Sequence, residues 1–507
     1  MYIGKRKPHK KTRKNKKTQR HKKTLKGGKV LASGGFGCIF RPALKCQKEE
    51  TGSANGVSKL MKKKYAVKEY NEIVKYLPEL EKIPDYQNYF LIDGFSICDP
   101  QPLNSEDLQN FNKKCKALTK HGYTMKNVNK NLNKLNVLSM PYGGINVDKF
   151  IESINLEYTK MHSLNQSLKM LLKNGIIPMN QKGIYHCDIK DSNVLVQEEE
   201  KEEKEDKEDK EDDALFTRLI DWGLSTKIDS ATEKKVPRVL LNRPFQFNVP
   251  FSNILFNDVF TKMYDEFLKE NPNPEYIVIR SFVINYTIAW IDERGPGHLK
   301  TLNSIFREMF ENTLTNIDAK FKEDIIEYEY TFYFIFEYLT QILFKFTRNN
   351  KFDSMDYFST VFLKNIDVWG FVIIYVSIFE YLYDNYKKLN EVELDIIKTI
   401  KNMIFLLFKS STEPIDIDSL EPMIDKLDEL FLKASKQKTF VRSMKSASSA
   451  SNSSKKSSSK SKTIRKTKTA TKTKTIKKTA TTRKTTLNRG GGSVIKYYDD
   501  LKNGSSS

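Results

Sequence analysis

The hydrophobic pattern of this chain changes period part-way along. Lys29–Phe40 (KVLASGGFGCIF) has the texture of a strand, a glycine turn and a second strand, and residues 43–56 are polar and read as a loop. Val57–Met61 is a short strand. After it, Ala66, Tyr70, Ile73 and Leu77 recur at i, i+4, i+7 and i+11, a helical stripe ended by Pro78. Tyr89–Ile92 and Leu135–Met140 predict further strands, and Asn155–Asn174 a helix. Val194–Val196 and Arg218–Asp221 predict two short strands joined through an acidic insertion. From 252 to 435, Phe, Ile, Leu and Tyr fall at helical spacing. Strands first and helices afterwards predict an α+β chain with two lobes.

Composition adds two tails. Residues 1–28 carry 13 Lys/Arg and no acid, and residues 436–507 carry 20 against two acids, so the net charge of +23 belongs to the ends. Neither end has the apolar content to fold alone. Such charge predicts salt-sensitive, non-specific contact with nucleic acid or another polyanion; no aromatic interleaving provides for base stacking. The run Glu198–Asp213, with 12 acids and four lysines, reads as a solvated loop. Five cysteines without paired spacing argue against a disulfide framework and for a reducing, intracellular compartment. The basic N-terminus lacks the apolar core of a secretory signal. The apolar stretches Phe332–Phe346 and Phe371–Tyr383, broken by Glu337 and Glu380, are short for a bilayer and read as core helices, with no membrane span.

The chemistry concentrates in Tyr185–Val196, YHCDIKDSNVLV. His186, Asp188, Lys190 and Asn193 stand in the order H-x-D-x-K-x-x-N before an apolar strand. Phosphoryl transfer to a hydroxyl needs a carboxylate to orient the nucleophile, a cation on the moving phosphate and oxygen ligands for magnesium. Asp188, Lys190 and Asn193 supply these together, with His186 bracing the loop. Arg218–Gly223 (RLIDWG) then offers Asp221 to the metal, and Gly223 a place to turn away. These segments resemble the catalytic loop and the D-F-G motif of the protein kinase family, with Trp222 for Phe. Lys190 favours, by that resemblance, Ser/Thr over Tyr as acceptor.

The resemblance extends to other segments. Ala32, Ser33, Gly34, Gly35, Phe36, Gly37, Cys38 and Ile39 resemble the glycine-rich loop over ATP phosphates, with Ala32 in place of the first glycine. The phosphate-pairing lysine has two candidates. Tyr65-Ala66-Val67-Lys68 mimics the family's V-A-I-K but lies on the helical stripe, with Glu79 or Glu81 as partner. Lys59 lies in the strand before that helix, and Glu69, on the inward helix face, is its partner; Lys59 with Glu69 is preferred. Leu138–Gly144 resembles the hinge that meets adenine, with Met140 as gatekeeper and Tyr142 in the hinge backbone. Asp367-Val368-Trp369-Gly370 resembles the large-lobe helix whose Asp caps the catalytic loop, although Asp367 also reads as a plain N-cap.

The resemblance implies a bilobal protein-kinase-like fold. It divides the chain into a basic disordered tail 1–28, a small β-rich N-lobe 29–144, a large helical C-lobe 145–435 and a Ser/Thr/Lys-rich disordered tail 436–507. Within the C-lobe fall an acidic loop insertion at 198–213 and a helical insertion at about 252–360. It also implies ATP and Mg2+ as cofactors, metal ligation by Asn193 and Asp221, and protein substrates with Ser/Thr hydroxyls. Three departures stand out: Cys187 replaces the Arg that usually reads an activation-loop phosphate, no A-P-E follows, and Arg243–Asn248 (RPFQFN) occupies the substrate-binding segment. With the Lys/Asn/Ile-rich composition and the tails, the chain is similar to kinases of nucleocytoplasmic large DNA viruses, which implies a virion or host cytoplasm setting. The alternatives are a pseudokinase scaffold and a polyanion-binding virion packaging protein.

Overall fold

The structure, a computed structural model, describes residues 28–47, 56–155, 157–198, 214–229, 234–314, 316–384 and 389–451. All but the last residue of the expected tail 1–28, most of the acidic loop and residues 452–507 lie outside the described residues. The chain forms a mixed α/β protein with an N-terminal sheet and a mostly helical remainder. It divides into two compact units: one from the N-terminus to Leu77 with Ile92–Tyr142, the other from Pro78–Leu91 with Gly143 onward.

The first unit is built on a five-stranded antiparallel sheet. Its strands are β1 (Lys29–Ser33), β2 (Gly37–Arg41), β3 (Val57–Lys62), β4 (Ser96–Cys98) and β5 (Leu135–Met140), in the order β1-β2-β3-β5-β4. Strand residues alternate between faces. One face carries Cys38, Phe40, Leu60 and Val137, packed on Phe111, Cys115, Leu118 and Val128 from short helical turns. The cross-strand set Ile39, Lys59 and Leu138 belongs to the other face. Helix α1 (Lys63–Val74) follows β3 directly and buries Ala66 and Ile73. It ends before Leu77, so the predicted stripe outruns the helix.

Two disulfides tie this unit together, Cys38–Cys115 and Cys46–Cys98, across 77 and 52 residues. This corrects the expectation drawn from cysteine spacing. Partners so far apart leave no spacing pattern; only the packing of the sheet on its helical turns brings them together. The support that the cysteines lent to a reducing compartment goes with it. Cys187 is the free thiol among the described residues, and it is buried.

The second unit contains a small sheet of β6 (Ile145–Asn146), β7 (Val194–Glu198) and β8 (Leu215–Leu219). The predicted strand Tyr89–Ile92 forms only a single parallel bridge, Phe90 with Leu219, because a 3-10 turn at Tyr86–Asn88 and the left-handed Gly94 bound it closely. The helical body includes α2 (Tyr158–Met170), α3 (Asp258–Glu270), α4 (Tyr276–Arg294), α5 (Leu363–Ile374) and α6 (Ile417–Ser451). Asn165 of α2 donates to the Ile424 carbonyl at 2.9 Å and to Asp428 at 2.8 Å, and accepts from Tyr375, so α2, α5's continuation and α6 share one satisfied polar contact. The stretch Ser354–Tyr383 is apolar and long enough to cross a membrane by composition, yet it is almost wholly buried as a core helix. Helix α6 runs past residue 436, where the basic tail was expected to begin. Its sequence from 423 to 451 contains no Gly or Pro to stop it.

Candidate functional site

In the first unit the glycine segment is a hairpin closed by the Gly34 N–H on the Gly37 carbonyl at 2.9 Å. Gly37 is required by close approach: a Cβ there would lie 2.8 Å from the Leu60 carbonyl oxygen. At Gly34 a Cβ would stand 4.0 Å from Lys59 Nζ, so the ammonium lies directly against the turn. Lys59 Nζ is 2.7 Å from both carboxylate oxygens of Glu69. Their side chains are 17% and 27% exposed, which leaves the pair partly buried. Lys68, the other candidate, is exposed and pairs with Glu72 at 3.5 Å rather than with Glu79 or Glu81. Ser33 Oγ accepts the Ala117 N–H at 2.8 Å, and the exposed Phe36 ring lies 5.0 Å from Tyr65. Ala32 pairs with Ile39 across the hairpin. Met140, half-buried, pairs with Val57, and the Arg41 guanidinium covers the Tyr142 ring at 3.4 Å.

In the second unit, the segment from His186 to Asn193 links the short strand Ile184–Tyr185 to β7. Asp188 is buried and ion-paired with Lys190 at 2.8 Å. Asn193 Nδ2 donates to the Asp188 carbonyl at 2.8 Å and to its Oδ2 at 3.0 Å. Asn248 Nδ2 donates to Asp188 Oδ1 at 2.8 Å. The carboxylate is thus held at both oxygens by charge-assisted hydrogen bonds. His186 is fully buried; its Nε2 lies 2.9 Å from the Ile220 carbonyl, and its ring meets Trp222 edge-on at 5.1 Å. Trp222 in turn meets Phe90 at 5.7 Å, so the indole fills the space beneath the loop.

Ile220 is fixed from two sides, since its N–H also donates to the Asn193 carbonyl at 3.0 Å. This brings the next residue, Asp221, beside the loop with an exposed carboxylate. Asp221 has φ +67° and Cys187 has φ +61°. Left-handed backbone in non-glycine residues is strained and persists where surroundings enforce it. The sharp turn expected at Gly223 is made by Asp221 instead, since Gly223 lies within the 3-10 turn Trp222–Leu224.

Asp367 sits inside α5, fully buried, and is not an N-cap. Its oxygens accept the N–H groups of His186 and Cys187, both at 2.8 Å, and the Asn180 amide at 2.8 Å. Burial pushes the Asp367 carboxyl up, against His186 and these donors, which pull it down. Burial also drives the Cys187 thiol well up, so it stays neutral. The buried Arg243 guanidinium donates to the Cys187 carbonyl at 3.0 Å. Burial lowers its pKa, while the acids Asp188 and Asp367 favour its charge. The sequence displayed Arg243 and Asn248 in RPFQFN but assigned neither a role, and it gave no sign of His298, whose imidazole is depressed by burial and by Lys190.

Asn193 spends its amide nitrogen on Asp188, and no described residue donates to its Oδ1; Asp221 makes no hydrogen bond with a described residue. Hard oxygen donors of this kind suit Mg2+, which takes few protein ligands and completes its shell with water and phosphate. Among the described residues no group of three or more His, Cys, Asp or Glu is gathered for a metal ion.

No protein-family model matches this chain, and no curated protein matches it. Among solved structures, the crystal structure of a kinase domain is similar at 13% identity, with a TM-score of 0.23, over 45% of this chain. The chain spans 56% of that domain's length. A likeness of this size carries no argument.

Proposed function

We propose that this chain is a serine/threonine protein kinase with the two-lobed architecture its motifs imply, using ATP and Mg2+. The observation that carries this reading is the environment of Asp188: a buried carboxylate held by Lys190, Asn193 and Asn248, on a loop to which Ile220, the residue before the exposed Asp221, is hydrogen-bonded. Few other reactions ask for a braced carboxylate, a lysine and two unencumbered oxygen ligands in one place.

In this reading Asp188 accepts the proton of the acceptor hydroxyl, and Lys190 balances charge on the transferred group. Asn193 Oδ1 and Asp221 would hold the metal. The glycine turn and Lys59, oriented by Glu69, take the nucleotide phosphates, and residues 138–142 with Met140 and Tyr142 take the base. ATP with Mg2+ supplies the phosphoryl group and neutralises its charge. The acceptors are protein Ser/Thr hydroxyls; polyanion contact through the basic ends is a separate property.

The test is direct. Purified protein is incubated with γ-labelled ATP and Mg2+, with basic and acidic protein acceptors, and the products are mapped. Label on serine or threonine supports the reading. Nucleotide binding without transfer to any acceptor would favour a pseudokinase scaffold.

A further inference from the structure

Between His186 and Ile189, six polar backbone groups are satisfied by side chains. Asp367 takes the N–H groups of His186 and Cys187. Ser225 donates to the His186 carbonyl at 3.3 Å, Arg243 to that of Cys187, Asn193 to that of Asp188, and Asn248 to that of Ile189 at 3.2 Å. An acid receives the N–H groups from one side, and donors reach the carbonyls from others. Backbone tied at six of its eight polar groups in this way has little freedom to rearrange.

Two of these donors come from one segment, 242–248, which is itself held from behind. Arg294 of α4 donates to the Asn242 carbonyl at 2.7 Å, and Trp290 Nε1 of α4 to that of Arg243 at 3.2 Å. Asn253 donates to the Pro244 carbonyl at 3.1 Å, the His298 N–H to that of Phe245 at 2.9 Å, and Trp369 of α5 to that of Phe247 at 3.0 Å. Gly297, at φ +54°, lies so close that a Cβ would fall 2.2 Å from the Phe245 oxygen. Charge is balanced too: the acids Asp188 and Asp367 face the cations Lys190 and Arg243. Loss of Arg243 would leave buried acid uncompensated.

We infer that Arg243 and Asn248 are positioning residues for Asp188, presented by α4 and the turn after it, so that the loop holds its working shape without any phosphate. This rests on the proposed function and deepens it. The first part of the helical region then serves to brace the acceptor side of the loop from within, where position 187 is a cysteine.

The experiment compares the full chain with Asn248→Ala, Asn248→Asp, Arg243→Ala and Arg243→Lys, measuring kcat, both KM values and the melting temperature. Asp has nearly the shape of Asn but cannot donate. Asn248→Asp should therefore lose at least as much kcat as Asn248→Ala, about tenfold to a hundredfold, with nucleotide KM unchanged. Arg243→Lys should recover part of what Arg243→Ala loses, and remains informative if Arg243→Ala does not fold. Phosphatase treatment of the wild-type chain should leave its initial rate unchanged. Asn248→Asp with wild-type kcat, or a wild-type rate that collapses on dephosphorylation, would overturn the inference while leaving the kinase reading intact. A wild-type chain that binds nucleotide and transfers nothing removes the kinase reading and this inference together.

Discussion

Around Lys59 the bracing is covalent and the ion pair is partly exposed; around Asp188 no crosslink is present among the described residues, and the carboxylate is buried in a net of side-chain hydrogen bonds. The first unit closes two loops with Cys38–Cys115 and Cys46–Cys98, and in it Lys59 and Glu69 meet at 2.7 Å, partly exposed. The second unit holds Asp188 and its loop with Asn193 from the loop itself and with side chains from two distant segments, Arg243 and Asn248 from one and Asp367 from the other. In the first region the charged pair can be altered without disturbing what holds the fold. In the second the Asp188 carboxylate and the fold depend on the same hydrogen bonds. Reducing agents and single polar substitutions should therefore separate the two.

The largest effect falls on the first unit. Reduction should lower its stability by about 2–5 kcal/mol for each native disulfide lost. Denaturation without reductant should expose one thiol, Cys187, and denaturation after reduction all five. Alkylation followed by mass spectrometry reads both numbers. Five thiols without reductant would erase the contrast. Next comes Asp367→Asn in the second unit, where an amide oxygen replaces a carboxylate that accepts three donors. Each buried N–H left unsatisfied costs about 1–3 kcal/mol. Urea unfolding should show the loss, and reductant should not add to it in that unit.

Smaller in stability, though not in activity, is Glu69→Gln. The partly exposed pair contributes about 1 kcal/mol or less. Phosphotransfer should nonetheless fall with the melting profile almost unmoved; a large drop in melting temperature would show that this pair also holds the fold. The smallest effect is at His298. Its folded-state value is depressed from 6.5 by burial and by Lys190, against Asp188. The unfolded chain therefore binds the proton more readily, so the stability linked to neutral His298 is fully present above pH 6.5 and is lost as pH falls from there through the lower folded value. The wild type should lose urea resistance more steeply below that pH than His298→Gln, and identical slopes would remove His298 from the buried group.

What could be read from the sequence follows the same division. The strand, glycine turn and strand were legible because they are local, and so was the meeting of Lys59 with Glu69, ten residues apart on adjoining elements. The order H-x-D-x-K-x-x-N placed Asp188, Lys190 and Asn193 on one short loop. The disulfides were not legible, since their partners meet only through tertiary packing. Nor were the contacts of Arg243 and Asn248 with the loop, which depend on α4 carrying their segment back to it. The left-handed backbone at Asp221 was missed because glycine at 223 drew the turn to itself. Helix α6 outran the composition change at 436 because lysine, serine and alanine are tolerated in a helix when nothing interrupts them.

In the proposed function the Asp188 carboxylate takes the proton of the acceptor hydroxyl as the phosphoryl group moves. This role is tested most directly by Asp188→Asn, with nucleotide affinity measured by calorimetry and phosphotransfer measured on the same preparation. The account predicts near wild-type nucleotide binding with transfer reduced at least about a thousandfold. Transfer at the wild-type rate would contradict it.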